Sequence, residues 1–136
     1  MSTQTITIRE AKTNSQALNI GLWAAQIGVA AMFLMAGWSK ISGDPQMVGL
    51  FGAIGIGQWF RYLTGSLEII GAGLLLIPAL AGLGGLLLTG VMAGALATHL
   101  FLIGGDATMA IVLFVASALI ALGRKERTKN LLGLLH

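Results

Sequence analysis

Arg61-Tyr62-Leu63-Thr64-Gly65-Ser66-Leu67-Glu68-Ile69-Ile70-Gly71-Ala72-Gly73-Leu74-Leu75-Leu76-Ile77-Pro78 is apolar enough to cross a bilayer, yet it carries an acid near its middle. At a rise of 1.5 Å per residue, Glu68 lies about 10 Å below Arg61 along the helix axis. That depth is well inside a hydrocarbon core roughly 30 Å thick. An acidic residue at the centre of a span costs roughly 2.5–3.5 kcal/mol on insertion scales. A cost of that size requires a partner, a proton or a task for Glu68, and three further apolar segments surround it in the chain.

Composition points the same way. The 136 residues are 56% hydrophobic and 10% charged, against about 25% charged in soluble domains, and mean hydropathy is +0.87. The expected fold is all-α, an integral membrane four-helix bundle of one domain. The net charge of +3 does not indicate nucleic acid, because Arg9, Lys12, Arg124, Lys125, Arg127 and Lys129 all lie in the two tails. Basic residues flanking spans report topology and contact with anionic headgroups. With no cysteine, disulfides, thiol nucleophiles and cysteine-ligated clusters are excluded. Two histidines, His99 and His136, are too few to suggest a metal or bis-histidine haem site, so no metal ligands and no intrinsic cofactor are assigned.

Outward from the quoted stretch, residues 1–16 read as a polar tail or short interfacial helix. The first span is expected at about 17–37, too long for the core of a signal peptide. Asp44-Pro45 signals a helix start. Met47, Leu50, Phe51 and Ile54 then share one face, which fits a short interfacial amphipathic segment at 44–57; an apolar loop packed on the bundle is the other reading. Spans follow at about 59–77, 80–103 and 107–123, with a hairpin at Pro78 and Asp106 as a cap, and residues 124–136 form a basic tail. Four spans put both termini on one side, and the excess of basic residues there places them in the cytoplasm, with the protein in the plasma (inner) membrane. Trp38, Trp59, Tyr62 and Phe101 collect at the outer boundary. Gly90 and Gly94, with Gly28, Gly37, Gly65 and Gly71 on other spans, form a small-residue stripe suited to close helix packing. The methionines read as packing or lipid-contact residues.

Side chains on a helix lean toward its N-terminus. Lys40 and His99, near the outer ends of the first and third spans, therefore lean into the membrane, and Glu68 leans outward. The three converge on the outer half of the bundle, with Gly37 and Gly65 leaving room and Arg61 snorkelling to the outer headgroups. One reading is a buried Lys40–Glu68 ion pair that fixes helix register. The other is a binding pocket of Lys40, Glu68, His99, Gly37, Gly65, Trp38, Trp59 and Tyr62 in which Glu68 and His99 exchange protons.

These residues also carry a resemblance. Phe33-Leu34-Met35-Ala36-Gly37-Trp38-Ser39-Lys40, the glycine-set glutamate of residues 65–78, the Trp59-Phe60-Arg61-Tyr62 entry and the single His99 are similar to the DoxX-like family of small four-span membrane proteins, over roughly residues 18–123. The resemblance implies a fold better than an activity, since relatives range from the small membrane subunit of a thiosulfate:quinone oxidoreductase to assembly factors for ligand-gated channels. Three functions follow. The first is an accessory membrane subunit of a quinone-linked redox system, working in the bilayer with a membrane or peripheral redox partner protein, with quinone entering beside Trp38, Trp59 and Tyr62. The second is a non-enzymatic assembly protein that docks a client through Met47 and Phe51. The third, a small-solute or proton pathway, calls for a homo-oligomer, because four spans enclose little space. Whether the chain is itself an enzyme stays open.

Overall fold

The computed structural model describes residues 3–134, apart from the side chains of residues 11, 12 and 14. Met1, Ser2, Leu135 and His136 of the expected tails, and the Lys12 side chain, lie outside them. All regular structure among the described residues is helical: α1 (Thr3–Ile41), α2 (Pro45–Ile54), α3 (Trp59–Leu75), α4 (Ala81–Thr98) running into a π-helical turn (His99–Ile103), α5 (Thr108–Gly123) and α6 (Lys125–Gly133).

The long helix α1 departs from the expected tail and span. Its 39 residues include 3–16. No glycine or proline interrupts residues 3–20, and extending an established helix costs far less than nucleating one. The polar stretch therefore continues the apolar helix instead of forming a separate tail. The Asp44 signal reads correctly: its carboxylate accepts from the Gln46 amide at 2.9 Å, and α2 ends at Gly55, whose φ of 88° suits glycine. The start of α5 is held by Asp106, which accepts from the Thr108 hydroxyl at 2.5 Å and from the Thr108 amide at 2.9 Å. Those Thr108 hydrogen bonds hold the Asp106 carboxyl below the usual carboxylate range.

Successive long helices run antiparallel. α1 packs against α3, α3 against α4 and α4 against α5, with a smaller α1–α5 contact closing the circuit. Phe33, Leu75, Leu88, Met92 and Ile120 lie in the shared core. Backbone contact at glycine holds these pairs. A Cβ on Gly84 would come within 2.8 Å of the Leu75 amide nitrogen and 2.9 Å of the Gly71 carbonyl. One on Gly85 would stand 2.8 Å from the Ala121 nitrogen. The expected stripe at Gly90 and Gly94 does not pack helices, since both positions face open space. The reason is rotational: Gly84 and Gly85 turn toward α3 and α5, so Gly90 and Gly94 fall on another part of the helix surface. Gly28 likewise meets nothing within 4 Å.

By length and composition, α1 and the continuous stretch Ala81–Ile103 can cross a membrane, and α5 with α6, bent by 59°, makes a third unit if counted together. The basic C-terminal segment is not a free tail. As α6 it folds against the start of α4, where Gly82 admits Thr128 so closely that any side chain would overlap it.

Candidate functional site

The site begins with a helix crossing. A Cβ on Gly37 would lie 2.8 Å from the Gly65 carbonyl oxygen and 2.7 Å from the Ile69 side chain. One on Gly65 would lie 2.9 Å from the Gly37 carbonyl. Without side chains at these two positions, α1 and α3 touch backbone to backbone. Lys40 is three residues past one glycine and Glu68 three past the other. Because the helices are antiparallel, the two residues sit on opposite sides of the crossing along the axis. Each side chain leans back toward the N-terminus of its own helix, so the two meet. Lys40 Nζ donates to Glu68 Oε2 at 3.1 Å. Glu68 is 1% exposed, so its insertion cost is met by a charged partner inside the protein and not by contact with lipid.

Arg61 does not snorkel. It is 5% exposed; its Nε donates to Gln58 Oε1 at 2.8 Å, and Nη1 donates to the Lys40 carbonyl. The guanidinium lies 4.4 Å from the Tyr62 ring centroid. The last carbonyls of α1 lack intrahelical donors, and a cation there satisfies one of them while favouring the negative end of the helix dipole. Arg61 thus anchors the end of α1 that carries Lys40.

Above the crossing lies a cavity of about 740 Å³, lined by Lys40, Glu68 and His99 together with apolar side chains such as Phe33, Met92 and Leu113. Gly90 and Gly94 contribute to its wall, as do Met47 and Met109. His99 opens the π-helical turn, which is closed by the Gly104 amide donating to the His99 carbonyl at 2.8 Å. The His99 ring Nδ1 stands 2.8 Å from the Gly104 carbonyl oxygen. A carbonyl only accepts, so Nδ1 carries the proton and Nε2 is left for another partner.

Of the eight residues expected in the pocket, Lys40, Glu68 and His99 line this cavity. Gly37 and Gly65 form the crossing next to it. Trp38, Trp59 and Tyr62 are exposed and line no part of it. Trp59 Nε1 donates to the Ile56 carbonyl at 2.7 Å, which fixes it on the rim of the α2–α3 turn. Phe51 packs on Phe60 with ring centroids 5.7 Å apart and is buried. It lines the cavity.

A second polar cluster, at the other end of the helices, was not anticipated. Gln26 is fully buried in α1; its Nε2 donates to the Leu75 carbonyl at 2.8 Å, which answers an unpaired carbonyl at the end of α3. Arg124, 5% exposed, donates from Nε to Gln26 Oε1 at 2.7 Å and from Nη1 to Asn19 Oδ1 at 2.8 Å. Arg127 donates to the Pro78 carbonyl at 3.0 Å. A lone glutamine among the apolar residues of a span was the available signal. Its partner, 98 positions away, carried none, because Arg124 begins a run that reads as a solvated tail.

Comparison with curated proteins finds no match, and comparison with solved structures finds none either. The DoxX-like family model matches residues 24–124, from just before Gln26 to Arg124. The matched region contains the helix crossing, the cavity and the Gln26–Arg124 contact, and covers most of the chain: this protein belongs to the DoxX-like family.

Proposed function

We propose that the chain is a four-span membrane bundle that binds a lipid-soluble quinone in the cavity beside Lys40, Glu68 and His99, as the accessory membrane subunit of a quinone-linked redox system. The carrying observation is one cavity of about 740 Å³ whose walls are apolar except where the Lys40–Glu68 pair and His99 enter it. Ligand pockets are mostly apolar with a few placed polar groups that fix orientation, and a ring with two carbonyls on an apolar tail matches that pattern. In the bilayer, α3 and α5 supply the remaining crossings. Their 17 and 16 residues cover about 26 and 24 Å at 1.5 Å per residue, and the turns at each end make up the rest of the roughly 30 Å core. The termini then lie in the cytoplasm of a plasma membrane, and α2 rests in the outer interface.

Lys40 Nζ has three N–H groups and donates one hydrogen bond to Glu68, so it retains donors for a carbonyl oxygen. Glu68 holds or passes a proton at Oε1, the oxygen that Lys40 does not engage, and His99 Nε2 is a second proton-handling atom. A bound quinone would supply two-electron chemistry. This chain supplies binding, orientation and proton transfer, and a partner protein exchanges the electrons.

The test is solvent extraction of the purified protein followed by mass spectrometry of the extract. The expected result is quinone in near-stoichiometric amount from the wild type and about tenfold less from Lys40→Met, for loss of a charge-assisted hydrogen bond. Extracts holding phospholipid but no quinone, together with unchanged quinone-dependent activity in Glu68→Gln cells, would discard the reading.

A further inference from the structure

The hollow between α1, α5 and α6, at the opposite end from the cavity, is about 420 Å³ and is lined by Ser15, Asn19, Leu22, Arg124 and Arg127 among others. Two guanidiniums line it and no carboxylate does. Among the described residues the ion pairs are Lys40–Glu68 and Lys129–Glu126, so neither arginine is neutralised by an acid. Arg124 is the unusual member. A buried cation ordinarily has a counter-charge, whereas its hydrogen-bond partners are the neutral Gln26 and Asn19. Burial first, and then the like charge of Arg127, hold its guanidinium below the usual arginine range, which means that the two cations feel each other. An anion between them would relieve both costs.

The donors needed are present. Arg124 uses Nε and Nη1 on side-chain oxygens and Nη2 on the Asn19 carbonyl at 3.5 Å, and each terminal nitrogen retains its second N–H. Asn19 accepts through Oδ1, so its amide nitrogen is available to donate. Ser15 brings a hydroxyl to the exposed side. α6 starts at this bend; the acid in its first turn, Glu126, is paired with Lys129 at 3.7 Å and is not part of the hollow's lining. Asn19 and Lys40 are separated along α1 by about 32 Å at 1.5 Å per residue, close to a hydrocarbon thickness. The hollow is therefore at headgroup depth when the Lys40 end is at the opposite boundary. Leu18 and Leu22 give it an apolar lower edge.

We propose that this hollow binds a phosphate anion, between the buried Arg124 and the rim residue Arg127, as the headgroup of an anionic phospholipid or as free phosphate. The planar forks of two arginines match phosphate oxygens better than point charges do. The apolar edge favours the lipid as source.

The test uses the delipidated full-length protein and follows its melting temperature in detergent. Phosphatidylglycerol, phosphatidylcholine or inorganic phosphate is added to the wild type and to Arg127→Gln, Ser15→Asp and Lys129→Gln. Phosphatidylglycerol is expected to raise the melting temperature of the wild type, with apparent affinity about fivefold lower in Arg127→Gln, as for one cation lost at an anionic surface. Ser15→Asp, which adds an acid to the exposed rim without touching the buried network, is expected to abolish the shift. Lys129→Gln, equal in charge change but outside the hollow, is expected to leave it intact. A phosphate shift with the same dependence on Arg127 and Ser15 supports the anion site and assigns it to free phosphate. No shift from either ligand, a shift that survives Ser15→Asp, or an equal loss in Lys129→Gln overturns the proposal.

Discussion

At the scale of single residues, three buried charges in this protein are enclosed by protein groups. Glu68 has Lys40, Arg61 has the end of α1 with Gln58, and Arg124 has Gln26 and Asn19. Removing one member of a buried ion pair is far worse than removing both, because a lone buried charge keeps its desolvation cost without any compensation. Glu68→Gln or Lys40→Met alone is therefore expected to lower stability by about 3 kcal/mol. The double variant is expected to be closer to the wild type than either single one. Unfolding in detergent across the four proteins of this cycle measures the coupling, and strictly additive losses would contradict it. Glu68 was legible as an anomaly from the sequence because charge in a span is conspicuous. Arg61 and Arg124 were not, because basic residues at the ends of spans ordinarily face headgroups, and only the facing helix reveals that these two turn inward.

At the scale of elements, glycine has two separate uses. Gly37, Gly65, Gly84 and Gly85 let backbones touch, whereas Gly90 and Gly94 leave space. Gly84→Ala forces the Leu75 and Gly71 backbone away and is expected to cost about 1–3 kcal/mol, as overpacking does. Gly90→Ala meets nothing within 4 Å and is expected to be neutral or to stabilise by up to about 1 kcal/mol through helix propensity. Thermal melts of the two variants side by side test the division. Gly94→Leu extends the comparison to the cavity: it should fold normally yet lose bound quinone, and full retention would show that the ligand lies elsewhere. The small-residue pattern on α4 was visible in the sequence. Which of its glycines face a neighbour was not, since Gly-xxx-Gly spacing is satisfied on more than one face of a helix that is apolar all round.

At the scale of the whole molecule, the antiparallel order of α1, α3, α4 and α5 puts the start of α1 and the end of α5 at one end, joined through Asn19 and Arg124. Because the native chain has no cysteine, single replacements report sidedness cleanly. Glu10→Cys and Lys129→Cys are expected to react with an impermeant maleimide only in inverted vesicles, and Ser42→Cys only in intact cells; labelling of Glu10→Cys and Ser42→Cys from one side would refute the four-span arrangement. Membership of an all-helical membrane class and the helix starts after Asp44 and Asp106 were determined by the sequence itself, because hydropathy, proline and capping act over a few neighbouring residues. The partners of Arg61 and Arg124, the cavity at Gly90 and Gly94 and the cationic hollow were decided only by tertiary structure. Each depends on which helix face meets which, and that is set by contacts between residues far apart in the chain.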